Sequence, residues 1–247
     1  MFKPVAVIPV YNHPSTIRDM LEGVQRHGLR CVLVDDGSES SCAAVLDTLA
    51  SENPAKVTLV RLSVNQGKGA AMMAGLREAK YLGFTHGLQI DADGQHEVND
   101  VPRFLAMAQA HPQAVIVGCP IYDESVPKGR LYARYATHIW VWINTMSLTI
   151  RDSMCGFRVY PLAEVVDLIE RERLGMRMDF DCEVLVRLHW RGAKIISLPT
   201  RVTYPRDGIS HFRVLLDNVQ ISRMHATLFL GMLWRLPRLL WRKAARS

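Results

Sequence analysis

These 247 residues contain no C-x-x-C pair, no uncharged apolar run of about 18 residues and no acidic residue after Asp217. Each absence excludes something. The five cysteines, Cys31, Cys42, Cys119, Cys155 and Cys182, are scattered and odd in number, which argues against a zinc site or a disulfide framework. They read as reduced, mostly buried thiols of a cytoplasmic protein. Without a long apolar run, no membrane-spanning helix is expected. The first residues hold one lysine, then VAVIPV, then polar YNHPS, too short and wrongly flanked for a secretory leader. Neither G-x-G-x-x-G nor G-x-x-x-x-G-K-[ST] occurs, so the two best-known glycine-rich nucleotide loops are missing. There is also no internal repeat, low-complexity tract or linker.

Composition is that of a globular chain, 49% hydrophobic and 22% charged, and long enough for a sizeable core. The net charge of +6 has one source. Arg223, Arg235, Arg238, Arg242, Lys243 and Arg246 follow the last acid, and everything before them is neutral in sum. Basicity confined to one end is not the spread surface of a nucleic-acid-binding fold, so nucleic acid is excluded as a partner.

Short β-branched runs alternate with helical patterns. Val5–Val10, Cys31–Val34, Val57–Leu62, Phe84–Ile90 and Ala114–Gly118 read as buried strands. Between them, Ile17, Met20, Leu21 and Val24 share one helical face, a second helix covers about Ser41 to Ser51, AAMMAGLREA forms a third and Pro102 starts a fourth. This alternation predicts an α/β fold, a mostly parallel open sheet with helices on both faces. The second half reads as helices over Leu131–Leu148, from Pro161 and over Asp179–Arg191, a strand over Lys194–Tyr204, and a long helix from Phe212 to Pro237.

Polar segments follow four of the strands: YNHPS, DDGSES, NQGKG and DADGQH. Ligands bind open α/β sheets outside the carboxyl ends of the strands, so these loops predict one shared site. Asp91 and Asp93 are candidate ligands of one hard cation, Mg²⁺ or Mn²⁺, with Gln95 or His96 as a further donor. Taken alone, a D-x-D is more often a turn cap than a metal site. Lys68 precedes a helix N-terminus, a place suited to an anion. Asp36 can accept hydrogen bonds from a base or ribose, or simply form a turn.

In this order, VIPVYN, VDDGS, NQGKGAA and DADGQH resemble family-2 glycosyltransferases of the GT-A fold, and most of all the dolichol-phosphate mannosyltransferase type. DSMCGFRVY, FDCEVLVRLHWRGAKIISLP and RDGISHF extend the resemblance over about Val5 to His211. It implies a nucleotide-diphosphate sugar as donor and transfer with inversion at the anomeric carbon. By position, Pro9, Tyr11, Asn12, Asp36, Lys68 and Asp91 would hold the nucleotide, Asp93 and Gln95 the metal with the diphosphate, and Arg206 and His211 would close over it. Arg130 and Arg134 resemble in placement the arginines that grip the acceptor phosphate. His13 and His211 depart from the pattern, standing where glutamate and lysine are common.

An ionised lipid phosphate attacks unaided, whereas a hydroxyl acceptor needs a base. Asp152 is the first candidate base, with turn structure as its bland alternative. Asp181 is the second, and reads more simply as an exposed carboxylate in a helix's first turn. Residues 1–210 are expected to form the catalytic domain and 211–247 a basic, apolar helical tail lying at the cytoplasmic face of a membrane, or packed on the domain or a second copy. The expected enzyme is a metal-dependent glycosyltransferase with a lipid-linked acceptor, carrying a polyprenyl phosphate or a hydroxyl. A nucleotidyltransferase or a non-catalytic scaffold of the same fold remain as alternatives. Oligomeric state is not legible.

Overall fold

The computed structural model describes residues 1–122, 128–203 and 213–245. Its centre is a seven-stranded sheet. In chain order the strands are β1 (Pro4–Val10), β2 (Cys31–Asp35), β3 (Val57–Arg61), β4 (His86–Gln89), β5 (Ala114–Tyr122), β6 (Arg158–Pro161) and β7 (Lys194–Val202). In space they run β3-β2-β1-β4-β6-β5-β7. All neighbours are parallel except β6, which is antiparallel to both β4 and β5.

Alternation along β1 shows how the sheet builds two cores. Val5 and Val7 join one apolar cluster, and Ala6, Ile8 and Val10 the other, because successive side chains leave a strand on opposite faces. One face is covered by α1 (Ile17–Gln25), α2 (Ser40–Glu52) and α4 (Val101–Ala110). The other carries α3 (Lys68–Tyr81), α5 (Lys128–Thr145), α6 (Leu162–Arg171), α7 (Phe180–Arg191) and α8 (Val214–Ala244). Both faces of the central strands are therefore dry, which is why they read as unbroken apolar runs rather than alternating ones.

Three features differ from the sequence reading. β6 was not expected, because RVYP is short and carries an arginine in its first position. The arginine is tolerated because it is fully paired, as described below. The last helix does not stop at Pro237 but runs through it to Ala244. The lost backbone hydrogen bond is borne on an exposed stretch of helix, where water can serve the freed carbonyl. Third, the tail, read as lying at a membrane surface or packed on the domain or a second copy, is packed on the domain along one stripe only. Met224, Leu228, Met232 and Leu239 of α8 are buried in the same apolar cluster as α3, α6 and α7. On its other side α8 exposes Leu215, Val219, Leu230, Trp234 and Trp241. The expected domain boundary at residue 210 falls outside the described residues.

Polar contacts pin α8 and α5 to α7. The Trp190 indole N–H donates to the Asn144 carbonyl at 2.8 Å, and the buried Asn144 side chain meets His225 Nδ1 at 3.3 Å. Gly231 lets α8 approach, since a Cβ there would lie 2.9 Å from the Trp190 ring. Burial pushes the His225 pKa down to about 4 from the ordinary 6.5. The folded protein thus holds His225 neutral where the unfolded chain is protonated, so stability is complete above pH 6.5 and falls as the pH drops toward 4. His225→Gln should flatten that part of the dependence, as read from urea midpoints of both proteins across this range.

Candidate active site

The carboxyl ends of β1, β2 and β4 lie side by side, and the loops that leave them meet. After β1, Asn12 adopts a left-handed φ of 55°. Its side-chain oxygen accepts the Glu39 N–H at 2.8 Å, and its own N–H donates to Ser38 Oγ at 3.1 Å. Asn12 thus fastens the loop after β1 to the start of α2. Asp35, at the end of β2, accepts from Ser38 N–H at 2.8 Å and pairs with Arg61 at 2.8 Å. Its neighbour Asp36 accepts the Gln66 and Gly67 backbone N–H groups at 2.8 and 2.9 Å and the Asn65 amide at 2.9 Å. Burial raises the Asp36 pKa, against the pull of those two N–H groups. The glycine-rich loop before α3 is therefore held shut by a carboxylate from a different strand.

That closure aims Lys68. Its ammonium lies 2.8 Å from Asp91 Oδ2 and 2.8 Å from Asp181 Oδ2. Burial disfavours a charged lysine, but the two facing carboxylates outweigh it and raise the Lys68 pKa. Burial likewise pushes Asp91 up, and Lys68 with His96 outweighs that, holding Asp91 well below the usual carboxylate range. Asp91 Oδ1 is buried and accepts no hydrogen bond among the described residues. Gly156 packs directly on this carboxylate, and a Cβ at that position would collide with it. Two residues on, Asp93 Oδ1 accepts the Gln95 N–H at 3.0 Å. Burial and then the charge of Asp91 raise its pKa.

β6 explains how the second half of the chain reaches this rim. A parallel strand brings its end to the site, whereas an antiparallel strand brings the segment that precedes it. Arg158 sits opposite Gln89 in the register, so the loop from Asp152 to Phe157 lies beside the carboxyl end of β4. Arg158 is fully buried. It donates to the carbonyls of Cys155 at 2.7 Å, Ser153 at 2.8 Å and Asp181 at 2.7 Å, and to the Tyr160 hydroxyl at 3.0 Å. Tyr160 donates to Gln89 at 3.1 Å, and Gln89 donates to the Asp181 carboxylate at 3.0 Å. A charge-compensated chain therefore runs Arg158, Asp181, Lys68, Asp91, and its members shield one another's charge from the apolar core.

Asp181 is consequently not the exposed first-turn carboxylate that its place in α7 suggests. It is 5% exposed and engaged on both oxygens. Asp152 is equally committed. Arg134 of α5 grips it through Nε at 2.6 Å and Nη2 at 2.7 Å, His138 Nε2 lies at 3.2 Å, and the Met154 and Cys155 N–H groups donate to Oδ1. Burial acts to raise its pKa, but the His138 hydrogen bond and the Arg134 charge outweigh it and hold Asp152 well below the usual range. Both candidate bases are thus bound in ion pairs, and for Asp152, held below the usual range, that is a poor state for accepting a proton near neutral pH.

Of the residues singled out in the sequence, Asn12, Asp36, Lys68, Asp91, Asp93 and Gln95 converge on this rim, with Pro9 and Tyr11 at the end of β1 beside them. Arg134 and Asp152 meet each other, and Arg130 lies one helical turn earlier in α5. Arg206 and His211 lie outside the described residues. Sequence reasoning missed Arg158, Tyr160, Gln89 and His138. The GFR tripeptide was visible, but only the fold shows its arginine pointing inward.

Glycosyl transferase family 2, as a family model, matches residues 5–165. The chain belongs to this family. A UDP-N-acetylglucosamine–dolichyl-phosphate N-acetylglucosaminyltransferase of Methanococcus voltae is 24% identical over 213 residues, covering 80% of this chain and 84% of that one. The polyprenol monophosphomannose synthase of Mycolicibacterium smegmatis is 26% identical over 230 residues, covering 84% and 80%. Among solved structures, glucosyl-3-phosphoglycerate synthase from Mycobacterium tuberculosis superposes with a TM-score of 0.65 at 15% identity, covering 94% of this chain and 80% of that one. S. aureus TarS with UDP-GlcNAc gives 0.61 at 15% identity, covering 92% and 66%. At these identities the structural likeness speaks to the fold, which is the GT-A type. This family-2 glycosyltransferase thus has the predicted sheet, with β6 as its one reversed strand.

Two substitutions separate support from chemistry. Arg158→Met should cost about 3–5 kcal/mol in denaturant unfolding, because it leaves Asp181 buried with one partner fewer. Gly156→Ala should leave most of that stability while pushing Asp91 aside, so transfer should fall far more than the unfolding midpoint.

Proposed function

We propose that this glycosyltransferase moves a sugar, with inversion, from a nucleotide-diphosphate sugar to a polyprenyl phosphate at the cytoplasmic face of a membrane. The observation that carries the choice of acceptor is the commitment of Asp152 and Asp181. With both carboxylates locked in ion pairs, an acceptor that brings its own negative oxygen suits the site better than a hydroxyl that must be deprotonated. The names of the relatives from M. voltae and M. smegmatis point the same way.

In this reading Pro9, Tyr11, Asn12 and Asp36 receive the nucleotide, and the rigid 65–67 loop presents Lys68 beside the diphosphate. Asp91 and Asp93 would hold Mg²⁺ or Mn²⁺, with Gln95 as a further donor. The residues fit such an ion. A buried carboxylate oxygen on Asp91 has no partner among the described residues, and the Asp93 pKa is raised by burial and then by the like charge beside it. Among the described residues no three His, Cys, Asp or Glu side chains form a cage. Two carboxylates are the protein share expected where substrate phosphates complete the shell. When bound, the ion would neutralise charge growing on the departing diphosphate, an effect of several kcal/mol in sites of this type.

Arg134, fixed by Asp152, and Arg130 one turn before it would hold the acceptor phosphate. Its oxygen attacks the anomeric carbon as the bond to the diphosphate breaks. Exposed Tyr132, Tyr135, Ile139 and Ile143 on α5, with the apolar stripe and acid-free basic end of α8, form the surface we assign to the membrane. Among the described residues no helix is long and apolar enough to cross a membrane.

Mass spectrometry of lipid products, from purified protein given nucleotide sugars and polyprenyl phosphate, tests the reaction. Nucleoside diphosphate should be released, and pyrophosphate release would point to nucleotidyl transfer. Asp93→Ala should lower turnover by about 100-fold or more with the fold intact by circular dichroism. The pH profile tests the base. The rate should rise through about pH 6, the second ionisation of a phosphate monoester, and stay level above it. A limb that moves in Asp152→Glu would instead make Asp152 the proton acceptor.

A further inference from the structure

Two adjoining clefts open between α5 and α8, at the end of α5 away from the catalytic rim. The larger, about 710 Å³, is walled by Trp142, Leu148 and Leu239. The smaller, about 370 Å³, is walled by Met232, Leu233 and Leu236. Ile143, Met146 and Lys243 line both. Both volumes fall within the range of small-molecule sites. Arg242 joins Lys243 at the larger cleft, and among the described residues no carboxylate lines either one. Arg242 is held in place by donating to the Trp190 and His189 carbonyls at 2.9 and 3.1 Å.

We propose that this pair of clefts is a stoichiometric binding site for one two-chain anionic phospholipid. The two clefts meet at Ile143 and Met146, and the apolar walls of each, with Thr145, Ser147, Thr149 and His189 also lining the larger, give one hydrocarbon chain a place in each cleft. The cation common to both matches one anionic headgroup at the point where the chains diverge. The exposed apolar faces of α5 and α8 on either side bring the clefts to the level of a bilayer. The acceptor lipid is not the expected occupant. It has a single chain, and Ile143 lies nine residues beyond Arg134, about 13 Å along the helix from the place assigned to the acceptor phosphate. The site stands on its own geometry and does not depend on the reaction proposed above.

Native mass spectrometry of the full chain in non-ionic detergent tests it. The probes are dioleoyl phosphatidylglycerol, dioleoyl phosphatidylcholine, single-chain lysophosphatidylglycerol and undecaprenyl phosphate. One phosphatidylglycerol should saturate each chain, in preference to the other three. Lys243→Gln should weaken it about fivefold, the worth of one basic contact at an anionic lipid. Ile143→Trp should fill the junction and remove the bound lipid, with α-helical content and unfolding midpoint preserved. Equal binding of phosphatidylcholine, multiple unsaturable additions or retained binding in Ile143→Trp would overturn the site. Preference for lysophosphatidylglycerol or undecaprenyl phosphate would overturn the two-chain assignment. Lipid bound as expected by a protein that transfers no sugar would sustain this site while sinking the function proposed above.

Discussion

Lys68 is one ammonium shared by two carboxylates that come from distant parts of the chain, and much of the rim is arranged around that sharing. An isolated charge at this depth is too costly to keep. The fold answers by linking opposite charges: Arg158 beneath Asp181, Asp181 beside Lys68, and Lys68 beside Asp91. The last carboxylate is left with one oxygen engaged and one without a partner among the described residues. A negative group beside its like-charged neighbour Asp93 is thereby kept ionised and oriented.

The fold was readable because its signals are periodic. Buried parallel strands made apolar runs, helices made repeating faces, and each polar loop fell at the end of a strand. The D-x-D, the glycine-rich loop and Asp36 were readable for the same reason, since local sequence fixes which edge of the sheet they occupy. Arg158 and Asp181 were not. Their burial depends on a pairing between β4 and β6 that spans a long stretch of sequence. A charged residue also looks the same in the text whether water or a countercharge satisfies it. Asp152 shows the same limit. A turn-forming aspartate and a catalytic one are spelled alike, and only the fold shows that this one is paired with Arg134 and His138.

α8 combines two roles that sequence patterning tends to present as alternatives. Its buried stripe completes the core beneath α7, while its opposite stripe leaves large apolar side chains uncovered. A helix apolar on two sides reads as a membrane segment, yet its arginines and its packing hold it against the domain. The contact with Trp190 is made by Arg235 stacking over the indole at 4.6 Å, so even a cation here contributes to docking.

The reversed direction of β6 ties the two ends of the molecule together. The short segment from Asp152 to Gly156 is clamped to α5 at one end and rests on the Asp91 carboxylate at the other. The position of α5 and the position of the Asp91 carboxylate are therefore set by one five-residue segment, so the packing of a helix on the outside of the domain and the placement of a buried acid share a single support.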